Sequence, residues 1–222
     1  MMSSLHTAAA VARKSLLVDR RSGESLLVIT PFGAVALLII PIAVGTEVPL
    51  LRQVGPGMYW VVVLLFGVLV TLRQSSLQTP AQSRVLLLAG VPGPIQLAGN
   101  AMATGLLVFG LGALLAPVTV MLYNPNLGGW PWLAAALPAV AAGLGMLGVI
   151  ADGLVRQLSV RNSLGPLLIV PLALPLLLGA TQTMEATAFG RSAVPWLILM
   201  VIVDLVLFLA LLFAGRLLEE GT

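Results

Sequence analysis

Six apolar stretches, each near the length a helix needs to cross a bilayer, constrain this chain more than any other feature. They run approximately over Leu26–Val44, Met58–Leu72, Gln96–Val120, Trp130–Gly153, Leu164–Gln182 and Pro195–Gly215. A hydrocarbon core about 30 Å thick takes roughly 20 apolar residues per helical crossing. Lipid offers no partner to backbone N–H and C=O groups, so each crossing segment must satisfy its own. The expected class is therefore all-α: a polytopic membrane protein of six transmembrane helices. The second stretch is short, and it borrows Val54–Gly57 or stands more upright than the others. The first follows a mixed polar segment with no cleavage site after it, which reads as a retained span rather than a signal peptide. The expected division is a 1–25 surface segment, a 26–216 permease domain and a 217–222 tail.

Composition removes most other functions. Of 222 residues, 59% are hydrophobic and 9% charged, against about 25% charged in a soluble domain. A soluble enzyme, a disordered tail and a nucleic-acid binder are excluded. The chain has no Cys, which excludes disulfides, iron–sulfur clusters and thiolate chemistry. The single His, His6, lies in the N-terminal segment and has no nucleophile beside it. The only lysine is Lys14, in Ala12-Arg13-Lys14-Ser15, and no GxxxxGK[ST] loop exists to cradle ATP phosphates. Five of the eight acidic residues sit in loops or tails, and none is spaced with His for a metal. No catalytic residue and no metal site is expected. Energetic work would come from another subunit or an ion gradient.

Counting Lys and Arg by loop gives an orientation. One side collects Arg13, Lys14, Arg20, Arg21, Arg73, Arg84, Arg156, Arg161 and Arg216, and the other only Arg52 and Arg191. Both termini are expected in the cytoplasm. The aromatic residues agree. Tyr59, Trp60, Tyr123, Trp130, Trp132 and Trp196 all fall at the external ends of spans. They either anchor the bundle in the headgroup zone or form a flat apolar external face.

Residues Ser4–Arg21 read as an amphipathic helix on the cytoplasmic surface. Val11, Leu16 and Leu17 dip into the interface and the basic residues meet anionic lipid. Between the second and third spans, Thr79-Pro80-Ala81-Gln82 is a helix start: Thr79 caps, Pro80 suits the first position, and Gln82 stands three residues on. A short helix Pro80–Ala89, carrying Arg84, Leu86 and Leu87, is expected to stop at Gly90 before Pro92-Gly93-Pro94. It is either a linker or a coupling helix for a cytoplasmic motor subunit.

Within the spans, three features stand out. Gly143-Leu144-Gly145-Met146-Leu147-Gly148 matches GxGxxG, but no strand precedes it and it lies in an apolar helix; close helix packing is the reading. The fifth span carries Pro166, Pro171 and Pro175, and is expected to be kinked. Asp204 stands mid-span in Val203-Asp204-Leu205. An acid there costs about 2.5–3.5 kcal/mol on insertion scales, so it should face the interior or a cavity. It is either protonated or bonded to a hydroxyl or a partner chain, with functional and purely structural roles both open.

Three stretches resemble the permease subunit of the cytochrome c maturation heme exporter, the heme exporter protein B family. They are Val54-Gly55-Pro56-Gly57-Met58-Tyr59-Trp60-Val61, similar to a Pro-Gly turn feeding a span; Leu86-Leu87-Leu88 followed by Pro92-Gly93-Pro94; and Leu168-Ile169-Val170-Pro171-Leu172-Ala173-Leu174-Pro175-Leu176, similar to a proline-bearing fifth helix. The likeness covers roughly residues 26–190. It implies an ABC-2, type V exporter-like assembly in the bacterial inner membrane: two copies of this chain, two cytoplasmic ATPase subunits that bind the ATP, a heme-handling membrane protein and an external heme chaperone. Heme would be cargo rather than a cofactor of this chain, since the spans hold no His and Met58 is a poor ligand. The loop from Arg73 to Arg84 departs from the family pattern, having no acid where relatives carry a Gly-x-Leu-Glu-Gln-Leu type stretch, which implies an altered ATPase contact. The alternatives are a permease of similar architecture for a lipid, drug or polymer, or a non-transporting scaffold, with a proton-coupled carrier using Asp204 as a variant.

Overall fold

Apolar segments rich in Leu, Ala and Val, in a chain with few charges, leave the helix as the way to satisfy the backbone. The computed structural model is helical accordingly. It describes residues 2–22, 24–45, 47–77, 85, 86, 88–124, 127–157, 164–186 and 189–220, with side chains for 6–17, 26–45, 47–76, 85, 86, 88–124, 128–155, 165–186 and 189–216. The helices are α1 (Met2–Ser22), α2 (Glu24–Val44), α3 (Val48–Leu77), α4 (Gly93–Tyr123), α5 (Leu133–Gln157), α6 (Leu164–Ala186) and α7 (Val194–Glu220), with a 3-10 helix at Leu127–Trp132 leading into α5. Six of them, α2 to α7, are long and apolar enough to cross a membrane, so the protein is an integral membrane protein. An even number of crossings puts α1 and the end of α7 at the same end of the bundle, the terminal end.

α3 begins ten residues before the expected second span and runs for 30 residues. The expected Pro-Gly turn is absent: Gly55, Pro56 and Gly57 are inside the helix. Tertiary contacts hold it there. A Cβ on Gly55 would sit 3.0 Å from the Cβ of Tyr123 in α4, and the Nε of Arg52 donates to the Asn124 carbonyl at 3.0 Å. Asn124 is left-handed (φ 41°) and closes α4 through its N–H to the Val120 carbonyl. The cation of Arg52 therefore lies where the α4 carbonyls gather partial negative charge.

The bundle is built around α4 and α5. α4 packs against α1, α2, α3, α5 and α7, and α5 against α3, α4, α6 and α7. Prolines lie inside five helices, at 31 and 41 in α2, 56 in α3, 117 in α4, 138 in α5, and 171 and 175 in α6. The proline-bearing fifth span is thus one of several. Pro166 is not part of a kink. It occupies the third residue of α6, where the missing N–H would have had no intrahelical partner.

Candidate functional site

The α4–α5 crossing sets the geometry of the interior. Gly145 of α5 faces Ala101 and Gly105 of α4: a Cβ there would fall 2.5 Å from the Ala101 carbonyl oxygen and 2.7 Å from the Gly105 nitrogen. A Cβ on Gly105 would in turn lie 3.0 Å from the Ala141 carbonyl. Ala101 and Gly105, like Ala141 and Gly145, stand four apart on one helix face, the small-residue spacing that lets backbones touch in lipid. The other two glycines of the GxGxxG run point elsewhere. Gly148 meets Thr71 of α3, with the Thr71 Cβ 2.7 Å from an added Cβ, and Gly143 meets Leu176 of α6 and Asp204 of α7.

Asp204 therefore faces the bundle interior. Its Oδ1 would be 2.7 Å from a Cβ on Gly143, and this buried oxygen has no hydrogen-bond partner. The contrast with the buried threonines is direct. Thr71, Thr104, Thr119 and Thr183 each donate to a carbonyl three or four residues back in their own helix, at 2.7, 3.0, 3.1 and 2.7 Å. These four hydroxyls reach their own backbone, though the buried hydroxyl of Thr30 does not, while the Asp204 oxygen reaches across to a glycine that offers only a Cα–H.

The aromatic residues turn inward. Tyr59 and Trp60 are 0% and 1% exposed, and Tyr123 is 0% exposed. Tyr59 donates to the Gly112 carbonyl at 2.9 Å and Tyr123 to the Leu37 carbonyl at 3.0 Å. The Tyr59 ring stacks edge-on against Trp60 at 4.9 Å and lies 6.2 Å from Trp130. The indole nitrogens of Trp60 and Trp130 are buried without an acceptor. Trp130, Trp132 and Trp196 are half-buried. The outward-facing apolar plate is therefore not formed by Tyr59 and Trp60. Their helices are apolar on every side, so hydropathy carries no signal for which side packs inward.

At the loop between α3 and α4, Thr79, Pro80, Gln82, Arg84 and Leu87 lie outside the described residues. The chain just before α4 is a helix end. The Ala89 N–H donates to the Val85 carbonyl and the Val91 N–H to the Leu86 carbonyl, both at 3.0 Å. Gly90 is left-handed at φ 79°. This is a helix stop of the glycine type. Leu86 is half-buried, whereas Val85 and Leu88 are 64% and 88% exposed. Their spacing of three puts both on one side, a signal present in the sequence beside the Leu86-Leu87 pair.

Pro171 is exposed and Pro175 half-buried, so the pair spans the rim of α6 rather than lining its inner face. Pro175, Thr181 and Gln182 border a concavity of about 370 Å³. The two arginines opposite the terminal end both sit at helix C-termini: Arg52 beside α4, and Arg191 after α6, its guanidinium 5.1 Å from the Phe189 ring and its N–H on the Ala186 carbonyl. Helix-end charge accounts locally for Arg52, whereas the Arg191 cation rests over an aromatic ring. No group of three His, Cys, Asp or Glu capable of holding a metal occurs among the described residues.

Comparison with known proteins adds a second line of argument. The family described as CcmB protein matches residues 6–216. Heme exporter protein B of Haemophilus influenzae is 26% identical over 183 residues, covering 81% of this chain and 82% of the relative. Heme exporter protein B of Bradyrhizobium diazoefficiens is 27% identical over 183 residues, covering 82% of each chain. That of Pseudomonas aeruginosa is 29% identical over 185 residues, covering 81% of each.

Proposed function

Because the chain belongs to the CcmB protein family, we propose that it is the membrane permease subunit of an ABC transporter for heme export in c-type cytochrome maturation. The observation that carries this is the extent of the match. Residues 6–216 take in most of α1 and all six spans, so the likeness concerns the whole permease and not a shared hydrophobic patch. A strain lacking this chain should accumulate c-type apocytochromes without covalently attached heme, and the wild-type chain should restore them. Normal holocytochrome levels in the deletion strain would turn the assignment toward another cargo.

We assign the chain to the bacterial inner membrane with both termini in the cytoplasm, on the basic asymmetry. Reporter fusions at Ser83 should read as cytoplasmic. The helix stopped by Gly90 then lies beneath the membrane, where a cytoplasmic ATPase subunit docks. Exposed Val85 and Leu88 support this, because apolar side chains at the tip of a polar loop are covered when a partner binds. Leu88→Asp should release the ATPase on purification and leave the bundle folded. Leu86→Asp should do the same with more damage, since Leu86 is half-buried. An intact complex carrying Leu88→Asp would move the docking site elsewhere. Heme is cargo in this reading, ATP belongs to the partner, and a second copy of the chain, a heme-handling membrane protein and an external chaperone complete the assembly. The chain transmits force and leaves heme ligation to the other subunits, since its one imidazole is exposed on α1.

A further inference from the structure

A concavity of about 580 Å³ lies along the flank of the bundle between α4, α5 and α7. Its floor is the close crossing, with Ala101, Gly105 and Ala141 contributing backbone and methyl groups, and Phe208 and Leu212 of α7 form a wall. Every residue lining it is apolar. Along α4 it reaches from Pro94 to Phe109, a rise of about 22 Å at 1.5 Å per residue. That exceeds one leaflet's share, about 15 Å, of a hydrocarbon core about 30 Å thick. Left empty, the floor atoms would lack dispersion partners on one side.

Exposed basic residues stand near the mouth of the groove, with Glu219 and Glu220 following in the last turn of α7. A Cβ on Gly215 would lie 2.6 Å from the Cα of Pro94, which fixes the end of α7 to the groove's lower edge. Arg216 follows at once and is exposed. Phe208, Leu212 and Arg216 are spaced by four, so the arginine continues the wall one turn beyond the last lining residue. α1 closes the same end through Ala8, held by the Ser15 hydroxyl on Asn100 at 3.3 Å, and its Arg13 and Lys14 are exposed.

We propose that this groove holds one acyl chain of an anionic phospholipid, with the lipid phosphate bound by Arg216 at its mouth. A flexible hydrocarbon chain fills a narrow trough floored by backbone, and a guanidinium fork matches phosphate oxygens in pairs. The neighbouring charges of α1 favour an anionic headgroup over a zwitterionic one. The lipid ties α7 to α4 and α5 along a seam that protein side chains leave open. The proposal does not depend on which cargo the permease moves.

The test uses the full chain in mixed micelles of equal phosphatidylglycerol and phosphatidylcholine, read by native mass spectrometry. Phosphatidylglycerol should be retained preferentially. Arg216→Gln should lower that preference about fivefold, the weight of one basic residue at an anionic surface, and Arg216→Lys should keep most of it. Ala142→Leu, which fills the trough from its open side, should reduce retention of both lipids. Equal retention of the two lipids by the wild type, or an unchanged preference in Arg216→Gln, would overturn the proposal. So would an Ala142→Leu chain that keeps its lipid but loses a dimer, which would mark the groove as a contact between copies. If Ala142→Leu does not fold, the Gln and Lys variants of Arg216 decide the matter alone.

Discussion

α5 and α7 both carry long apolar spans, yet they meet their surroundings in opposite ways. Within its most apolar window α5 is 61% buried and α7 only 11%. α5 reads Ala-Gly-Leu-Gly-Met-Leu-Gly through its centre, whereas α7 reads Leu-Ile-Leu-Met-Val-Ile-Val. Lipid tails are as apolar as leucine, so large side chains gain nothing by turning inward, and small ones gain close backbone contact. Inside a bilayer, side-chain size does the sorting that hydropathy does in water. The helices with bulky, uniform surfaces are those left facing lipid or a partner.

The largest effect should come from breaking the crossing. Gly145→Val places a Cβ against the Ala101 carbonyl and Gly105 nitrogen, backbone atoms that cannot give way, and folded chain should vanish from size-exclusion profiles. Gly57→Ala is the control. Nothing lies within 4 Å of its added Cβ, and the profile should match wild type. Next, Leu144→Ala, fully buried beneath Gly67, should cost about 2–5 kcal/mol in a denaturant titration. Tyr59→Phe and Tyr123→Phe should each cost about 1 kcal/mol, since each removes one buried hydrogen bond to a neighbouring helix. The smallest effect belongs to α7. Ile202→Ala and Leu205→Ala, both exposed, should shift stability by less than about 0.5 kcal/mol, and a larger loss would mean that the isolated chain already covers this face.

Asp204 sharpens the same contrast, being an acid in the middle of the otherwise greasy span of α7. Asp204→Leu should leave the melting temperature equal or higher, because Oδ1 has no partner to lose. If export of heme to cytochromes fails in that stable variant, the acid serves the transport cycle. If export is normal, its role is confined to packing.

Much of this was legible from residues alone. The six crossings, the glycine stop at position 90 and the inward face of Asp204 follow from hydropathy, turn chemistry and the cost of a bare charge. The start of α3 did not follow. The sequence allowed the span to borrow Val54–Gly57, but not the further turns back to Val48, where Arg52 and Gly55 meet Asn124 and Tyr123 some 70 residues away. The inward turn of Tyr59 and Trp60 was equally hidden, because an all-apolar helix has no hydropathy stripe to read. The glycine run announced packing but not its partners. The shared side of Val85 and Leu88 was available from their spacing, but their exposure was not.

Gly143, Gly145 and Gly148 give α5 three bare spots aimed at α6 and α7, at α4 and at α3. A rod notched on three sides within six residues cannot spin or slide without losing all three seats together. If a power stroke reaches this protein from below, α3 to α7 must travel as one block, since α7 is seated too, through Asp204 on Gly143 and Gly215 on Pro94, and the give must be found at the rim, where α2 leans on the block outside these three seats.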